Sequence, residues 1–295
     1  MRGEFELIEK LTSNFEMIGD DCACVKVGGK LLLISNDDQI ENTHFTRSFP
    51  PRGVGYKLVI SNVSDILSCG GIAKYINISL HIPKDINEEY ILEVYEGIKR
   101  ACKEYAVDIT GGNTSTSATL AISAFILGET DRFVTRGGAQ EGDLLYISAP
   151  LGKSRFSLER LLAGEADHPL YDTHLYPKLP THIKPLIAGF ATSAIDISDG
   201  FLGDLGHIVN KSKVGFNIYN RLSIADRELL RFMDEESAVE YALNSGEEYQ
   251  LIFTIAPRDK KEADRYSLLP IGEAIGGGGV FIEGEAVRAK GFAHF

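Results

Sequence analysis

Four short segments of the chain set aspartates beside glycines or at the ends of apolar runs. They are GDDCACV with Asp20 and Asp21, SNDDQIENTHF with Asp37 and Asp38, NVSDILS with Asp65, and AIDISDGFLGDLGHI with Asp196, Asp199 and Asp204. A hard cation such as Mg2+ takes oxygen ligands, keeps several waters and commonly shares its shell with substrate phosphates. Carboxylates converging from separate segments suit it. Each aspartate alone also fits a turn or a helix cap, as Asp199 does just before Gly200. The chain carries no GxSxG elbow, no HExxH pair and no evident Ser/His or Cys/His nucleophile pair. A reaction driven by metal ions and positioning, without a covalent nucleophile, fits these materials, and phosphoryl transfer is the chief example.

The elements that must position these carboxylates are read from periodicity. KLLLISNDD (30–38) predicts a buried strand that delivers Asp37 and Asp38 at its tip. In GVGYKLVISNVSDILSCGG (53–71) the spacing of Leu58, Val59, Val63, Ile66 and Leu67 predicts a helix with Asp65 inside it. YINISLHI (75–82) alternates as a strand, and NEEYILEVYEGIKRACKEYA (87–106) predicts an amphipathic helix starting from Asn87. DITGGNTSTS (108–117) then reads as a glycine-rich loop before the strand LAISAFIL. Gly111 and Gly112 permit a turn or a close approach to phosphate, and the stretch matches neither GxxxxGK[ST] nor GxGxxG.

Around residues 128–143 the pattern breaks into polar and glycine residues, which places a domain boundary there. The second half offers the strands LLYIS, AIDIS, GFNIY and EYQLIFTI, helices after LGKS and across HIKPLIAGFA and FLGDLGHIVNK, and a glycine-led terminal hairpin. Mixed strands and helices in both halves indicate two α+β domains.

The 295 residues, 44% of them hydrophobic, suffice for two cores. A net charge of −12 argues against a nucleic-acid groove, which is built from clustered Lys and Arg. No apolar run reaches the length of a membrane span, and the start MRGEFELIEKLTSNF lacks the features of a signal peptide, so a cytoplasmic location is expected. Cys22, Cys24, Cys69 and Cys102 fit no paired zinc pattern and are expected as reduced thiols.

Taken together and in order, GDDCACV, SNDDQIENTHF, NVSDILSCGG, ITGGNTS, RGGAQEGD, AIDISDGFLGDLGHI, NSGEEYQLIFT and the terminal GFAHF strongly resemble the thiamine-monophosphate kinases of the aminoimidazole-ribonucleotide-synthetase-like superfamily. The resemblance implies an α+β chain of two domains, with residues 1–135 a dimerisation and metal/ATP-binding domain and residues 136–295 a C-terminal α+β domain. The N-terminal domains of a homodimer would form a β-barrel interface, with nucleotide in the cleft between the halves. It implies transfer of the ATP γ-phosphoryl group to thiamine monophosphate, with several Mg2+ ions and no membrane partner. Carried over by position, Asp21, Asp37, Asp65, Asn113, Asp196 and Asp199 correspond to metal ligands. Gly112, Asn113, Arg136 and Ser198 correspond to nucleotide contacts, and His44, Glu247 or Glu248, and Phe292 to contacts with the thiamine substrate. The sequence departs from the family pattern at Asn113, where GGDT is usual, at Asn36 in place of Thr, and at Phe292 in place of Trp. The alternatives are another ATP-dependent enzyme of the superfamily or a nucleotide-binding relative with weakened catalysis.

Overall fold

The computed structural model describes residues 7, 10–12, 15, 17–165 and 168–287, so the expectation for Phe292 lies outside the described residues. Five strands, β1 (Ala23–Val27), β2 (Lys30–Ile40), β3 (Ile72–Ile82), β4 (Asp108–Thr116) and β5 (Ala121–Thr130), form an open sheet in the order β1-β2-β5-β3-β4. Neighbours are antiparallel except for β3 and β4. Two helices belong to this sheet: α1 (Pro51–Ser68) and α2 (Glu88–Glu104), the latter being the crossover that lets β4 return parallel to β3. Asn87 caps α2 by accepting from the Tyr90 N–H at 2.8 Å. Where α1 and α2 cross, a Cβ on Gly55 would lie 1.9 Å from the Val94 carbonyl, and one on Gly97 would lie 1.9 Å from that of Arg52. The two backbones touch because neither position carries a side chain.

Two expectations are corrected here. The stretch 108–116 is not a loop but the edge strand β4, because Thr110, Thr114 and Thr116 satisfy the strand while Gly112 passes against the Ile78 carbonyl, where a Cβ would be 1.8 Å away. Asp37 and Asp38 do not end their strand; β2 runs on to Ile40, paired with β5 throughout. Backbone pairing overrode the change from apolar to polar side chains.

The second sheet comprises β6 (Leu144–Ile147), β7 (Ala191–Asp196), β8 (Gly215–Ile218), β9 (Leu251–Ile255), β10 (Gly272–Ile275), β11 (Val280–Ile282) and β12 (Glu285–Val287), in the order β12-β11-β8-β10-β6-β9-β7. Its helices include α3 (Lys153–Leu162), α4 (Tyr171–Leu175), α5 (Lys184–Phe190), α6 (Phe201–Ser212) and α7 (Glu235–Leu243). Alternate residues of β7 and β9 feed different cores. Ala194, Leu251 and Phe253 join the core that runs through α1 to the first sheet, whereas Ile195 and Ile252 join the one beneath α6. Helix α1 is thus packed between the sheets and buried on nearly every side. The chain is a mixed α+β fold with two sheets.

Candidate active site

Helix α1 is largely hydrophobic, and one polar stripe runs along it. Lys57, Ser61, Asp65 and Ser68 recur at i, i+4, i+8 and i+11, so they share a face. Between them they face three separate segments. Lys57 pairs with Glu247 at 2.7 Å, Ser61 lines the cavity with Asp37, Asp65 accepts from Ser35, and Ser68 donates to Asp21. Adjacent Ser64 donates to Asp196 Oδ2 at 2.7 Å, at the end of β7. Asn62 accepts from the Asp37 N–H at 3.2 Å. The helix therefore gathers carboxylates from the segment before β1, from β2 and from β7.

Electrostatically the gathering is unfavourable as it stands. Burial, opposed by the Ser61 hydroxyl and reinforced by Asp38, Asp199 and Asp21, pushes Asp37 up to about 6. Burial and the neighbouring aspartates hold Asp65 and Asp196 well above the ordinary carboxylate range. One Asp38 oxygen is buried with no hydrogen-bond partner. Arg136 answers part of the charge: its Nε donates to Asp21 Oδ1 at 2.9 Å and its backbone N–H to Asp20 at 2.7 Å. A cluster of oxygen donors that repel one another and are only partly compensated fits a divalent cation.

The turn after β7 is held by a carboxylate of the acidic set that the family resemblance did not carry over as a ligand. Asp204, buried in the first turn of α6, accepts from the backbone N–H groups of Ser198, Asp199 and Gly200 at 3.1, 3.2 and 3.1 Å. The alternative reading of Asp199 as a side-chain cap is not met, since the N-cap of α6 is Gly200, with φ +114 and no side-chain cap hydrogen bond. Asp199, Asp204 and His207 each bring a ligand atom within 4.8 Å of the others.

Beside the acidic cluster lies a cavity of about 820 Å³, lined by Asp37, Asp38, Ser198 and Asp199, by His44, Phe45 and Phe49, by Arg155 and Leu158 of α3, and by Glu247 and Tyr249. His44 Nδ1 accepts from the Ile40 N–H at 3.0 Å. Its loop is anchored by Arg47, which pairs with Glu41 at 2.6 Å and Asp85 at 2.7 Å.

The two adjacent glutamates have different surroundings. Glu247 lines the cavity, with burial alone pushing it up but Lys57 and His174 bringing it down to about 2. Glu248 turns into the protein and accepts from the Gly152 and Ser154 N–H groups at 2.6 and 3.2 Å, tying down the start of α3. Burial raises it to about 7 despite those donors.

Gly112 and Asn113 are not brought to this cavity. They sit on exposed β4, three positions from β2 in the sheet order. Lys57 and His174 were missed by sequence reasoning; the signal for Lys57 was a lone cation inside an apolar helix.

Residues 19–130 match the family model of the AIR synthase related protein, N-terminal domain. The chain is 38% identical to the thiamine-monophosphate kinase of Aquifex aeolicus, with 99% of this chain and 98% of that protein covered. It is 32% identical to the thiamine-monophosphate kinase of Escherichia coli K12, with 89% and 85% covered. Its fold matches the structure of AaThiL complexed with AMPPCP and TMP at a TM-score of 0.94, 38% identity and coverage of 99% and 97%. It also matches the hydrogenase maturation protein HypE in complex with ATP, at a TM-score of 0.72 and 18% identity, a likeness of fold alone.

Proposed function

This chain belongs to the thiamine-monophosphate kinase family, and on that premise we propose how its residues divide the work of passing the γ-phosphoryl group of ATP to thiamine monophosphate. The observation that carries the reading is the convergence of Asp21, Asp37, Asp65 and Asp196 on one helix, beside a cavity that also holds His44 and Glu247. The acceptor is a phosphate oxygen already deprotonated at neutral pH, so no general base is needed. The difficulty is electrostatic: unit charges about 4 Å apart repel by about 4 kcal/mol at an effective dielectric near 20. Mg2+ ions, held by Asp21, Asp37, Asp65, Asp196 and Asp199, would supply charge neutralisation and alignment of the two polyanions.

The chain's own groups do the rest. Ser35, Ser64 and Ser68 orient the carboxylates by hydrogen bonds, and Asp204 shapes the turn that presents Ser198 and Asp199. Arg136 orients Asp21 and stands ready for nucleotide oxygens. His44 and Glu247 meet the thiamine portion, while Phe45 and Phe49 exclude water around it. Glu248 acts as a cap for α3. By family position alone, Phe292, which lies outside the described residues, is proposed as a further contact of the thiamine substrate.

Asn113 fits this scheme only in a homodimer. Adjacent strands lie about 4.8 Å apart, so β4 and β2 of one sheet are separated by roughly 14 Å, beyond an asparagine side chain. A second copy would bring its own β4 to the site. In support, the sheet face away from α1 and α2 exposes Tyr75 and Phe125 around a shallow hollow with Asn77, Thr110 and Leu127, and two such faces closing together would make the barrel. Among the described residues no helix is long and apolar enough to cross a membrane, and a cytoplasmic setting is part of the proposal. The test is turnover: purified protein with ATP, thiamine monophosphate and a wide range of Mg2+ should yield thiamine diphosphate and ADP. No product at any Mg2+ concentration refutes the reading.

A further inference from the structure

Helix α1 carries an ammonium group into the interior: Lys57 is 2% exposed. Taking such a charge out of water is unfavourable, and an apolar residue of similar volume stabilises a buried position as well or better. Stability therefore does not account for Lys57. Its Nζ reaches Glu247 Oε1 at 2.7 Å and His174 Nε2 at 3.0 Å. His174, on α4, is fully buried, with Nδ1 3.1 Å from Ser154 Oγ and its ring edge-on to Phe49.

The protons of this group can be placed. An ammonium has donors and no lone pair, so His174 Nε2 accepts from Lys57 and the ring proton sits on Nδ1, toward Ser154. Burial first, then Lys57, push His174 down to about 3, so the ring is neutral. Its Nε2 lone pair is committed to Lys57 and offers no proton to Glu247 Oε2, 3.5 Å away. Lys57 at 2.7 Å and the Tyr249 hydroxyl at 3.4 Å both donate to Oε1 of Glu247, and among the described residues no hydrogen bond reaches Oε2. The backbone is committed as well: Glu247 adopts φ +52, and its N–H donates to the Ser198 carbonyl at 2.8 Å. The side chain remains a quarter exposed and lines the cavity.

We infer that Lys57 and His174 are positioning residues that hold Glu247 as a fixed anion, with Oε2 reserved as acceptor for an N–H donor on the ring portion of the substrate, such as the amino group of an aminopyrimidine. The inference rests on the kinase reading above and on Glu247 as its substrate contact. It makes the couple a determinant of specificity. An acceptor whose ring amino group is replaced by oxygen presents a lone pair to Oε2 and is rejected.

The experiment compares wild type, Lys57→Met, Glu247→Gln and the double variant, with melting curves to establish folding. Lys57→Met should raise KM for thiamine monophosphate by at least about tenfold, leave KM for ATP within about twofold, and erase discrimination against the oxygen-substituted acceptor. In the Glu247→Gln background, where no anion needs holding, the same substitution should change KM by less than about threefold. A tenfold loss in both backgrounds, or a parallel rise in KM for ATP, overturns the positioning role. If Lys57→Met alone does not fold, the double variant leaves no buried charge unpaired and is compared with Glu247→Gln: equal KM supports the inference and a further tenfold loss overturns it. Absence of wild-type turnover overturns the kinase reading and the inference with it, whereas normal turnover with unchanged KM in Lys57→Met overturns the inference alone.

Discussion

Replacing Asp37 by Asn should make the metal-free protein more stable and the enzyme worse. Burial and the charges of Asp38, Asp199 and Asp21 lift the Asp37 carboxyl from 3.8 to about 6. At about 1.4 kcal/mol per pH unit, that lift corresponds to about 3 kcal/mol. Asp37 is half-buried beside the cavity, and screening by water there lowers the figure to about 1–2 kcal/mol. A carboxyl whose folded value is raised favours the fold in its protonated form. That stability is present below 3.8 and is lost as the pH rises through about 6. Asparagine cannot ionise, so the variant escapes the loss. Urea melts in EDTA should show it more stable than wild type by about 1–2 kcal/mol at pH 7.5, with the difference vanishing near pH 4. In the same variant turnover should fall by at least about tenfold, because an amide brings no charge to a cation. An equal difference at both pH values, or a less stable variant at pH 7.5, refutes the claim that the cluster is held against its own repulsion.

Two further substitutions probe neighbouring parts. Asn113→Asp should lower the Mg2+ concentration needed for half-maximal rate, since it restores a carboxylate at the family's acidic position; titration of rate against Mg2+ checks this, and an unchanged requirement means the position has another use. Asp204→Ala strips three backbone N–H groups of their acceptor and should cost about 2–4 kcal/mol, read from the urea midpoint. Asp204→Asn, which keeps an oxygen acceptor, should recover much of that; an Ala variant that melts like wild type removes Asp204 from its role in the turn.

The long periodic helices α1 and α2 were legible from spacing, Asn87 included, because amphipathic or uniformly apolar patterning is a local property. Edge strand β4 was not, since glycine and asparagine disguised a segment whose conformation is set by pairing with β3. Candidate aspartates could be named one by one, but their meeting at α1 is a contact between residues as far apart as Asp21 and Asp196, which periodicity cannot express. Glu247 and Glu248 are adjacent in sequence and differ only in which way the backbone turns; φ +52 at Glu247 supplies the difference. Lys57 and His174, 117 positions apart, carried no mutual signal at all.

The polar stripe of α1 has a metric consequence. From Lys57 to Asp65 is eight residues, two turns and a little more, or about 12 Å along a rigid rod. The partner of the first is Glu247, and the second belongs to the acidic cluster. On the proposed roles, one helix would therefore set the distance between the point that grips one end of a guest and the point where its other end is to react. Such a ruler rejects by length before it rejects by chemistry. Lengthening the helix by one residue between these marks would rotate them apart by about 100° as well as moving them, so the spacing can be changed only in whole turns.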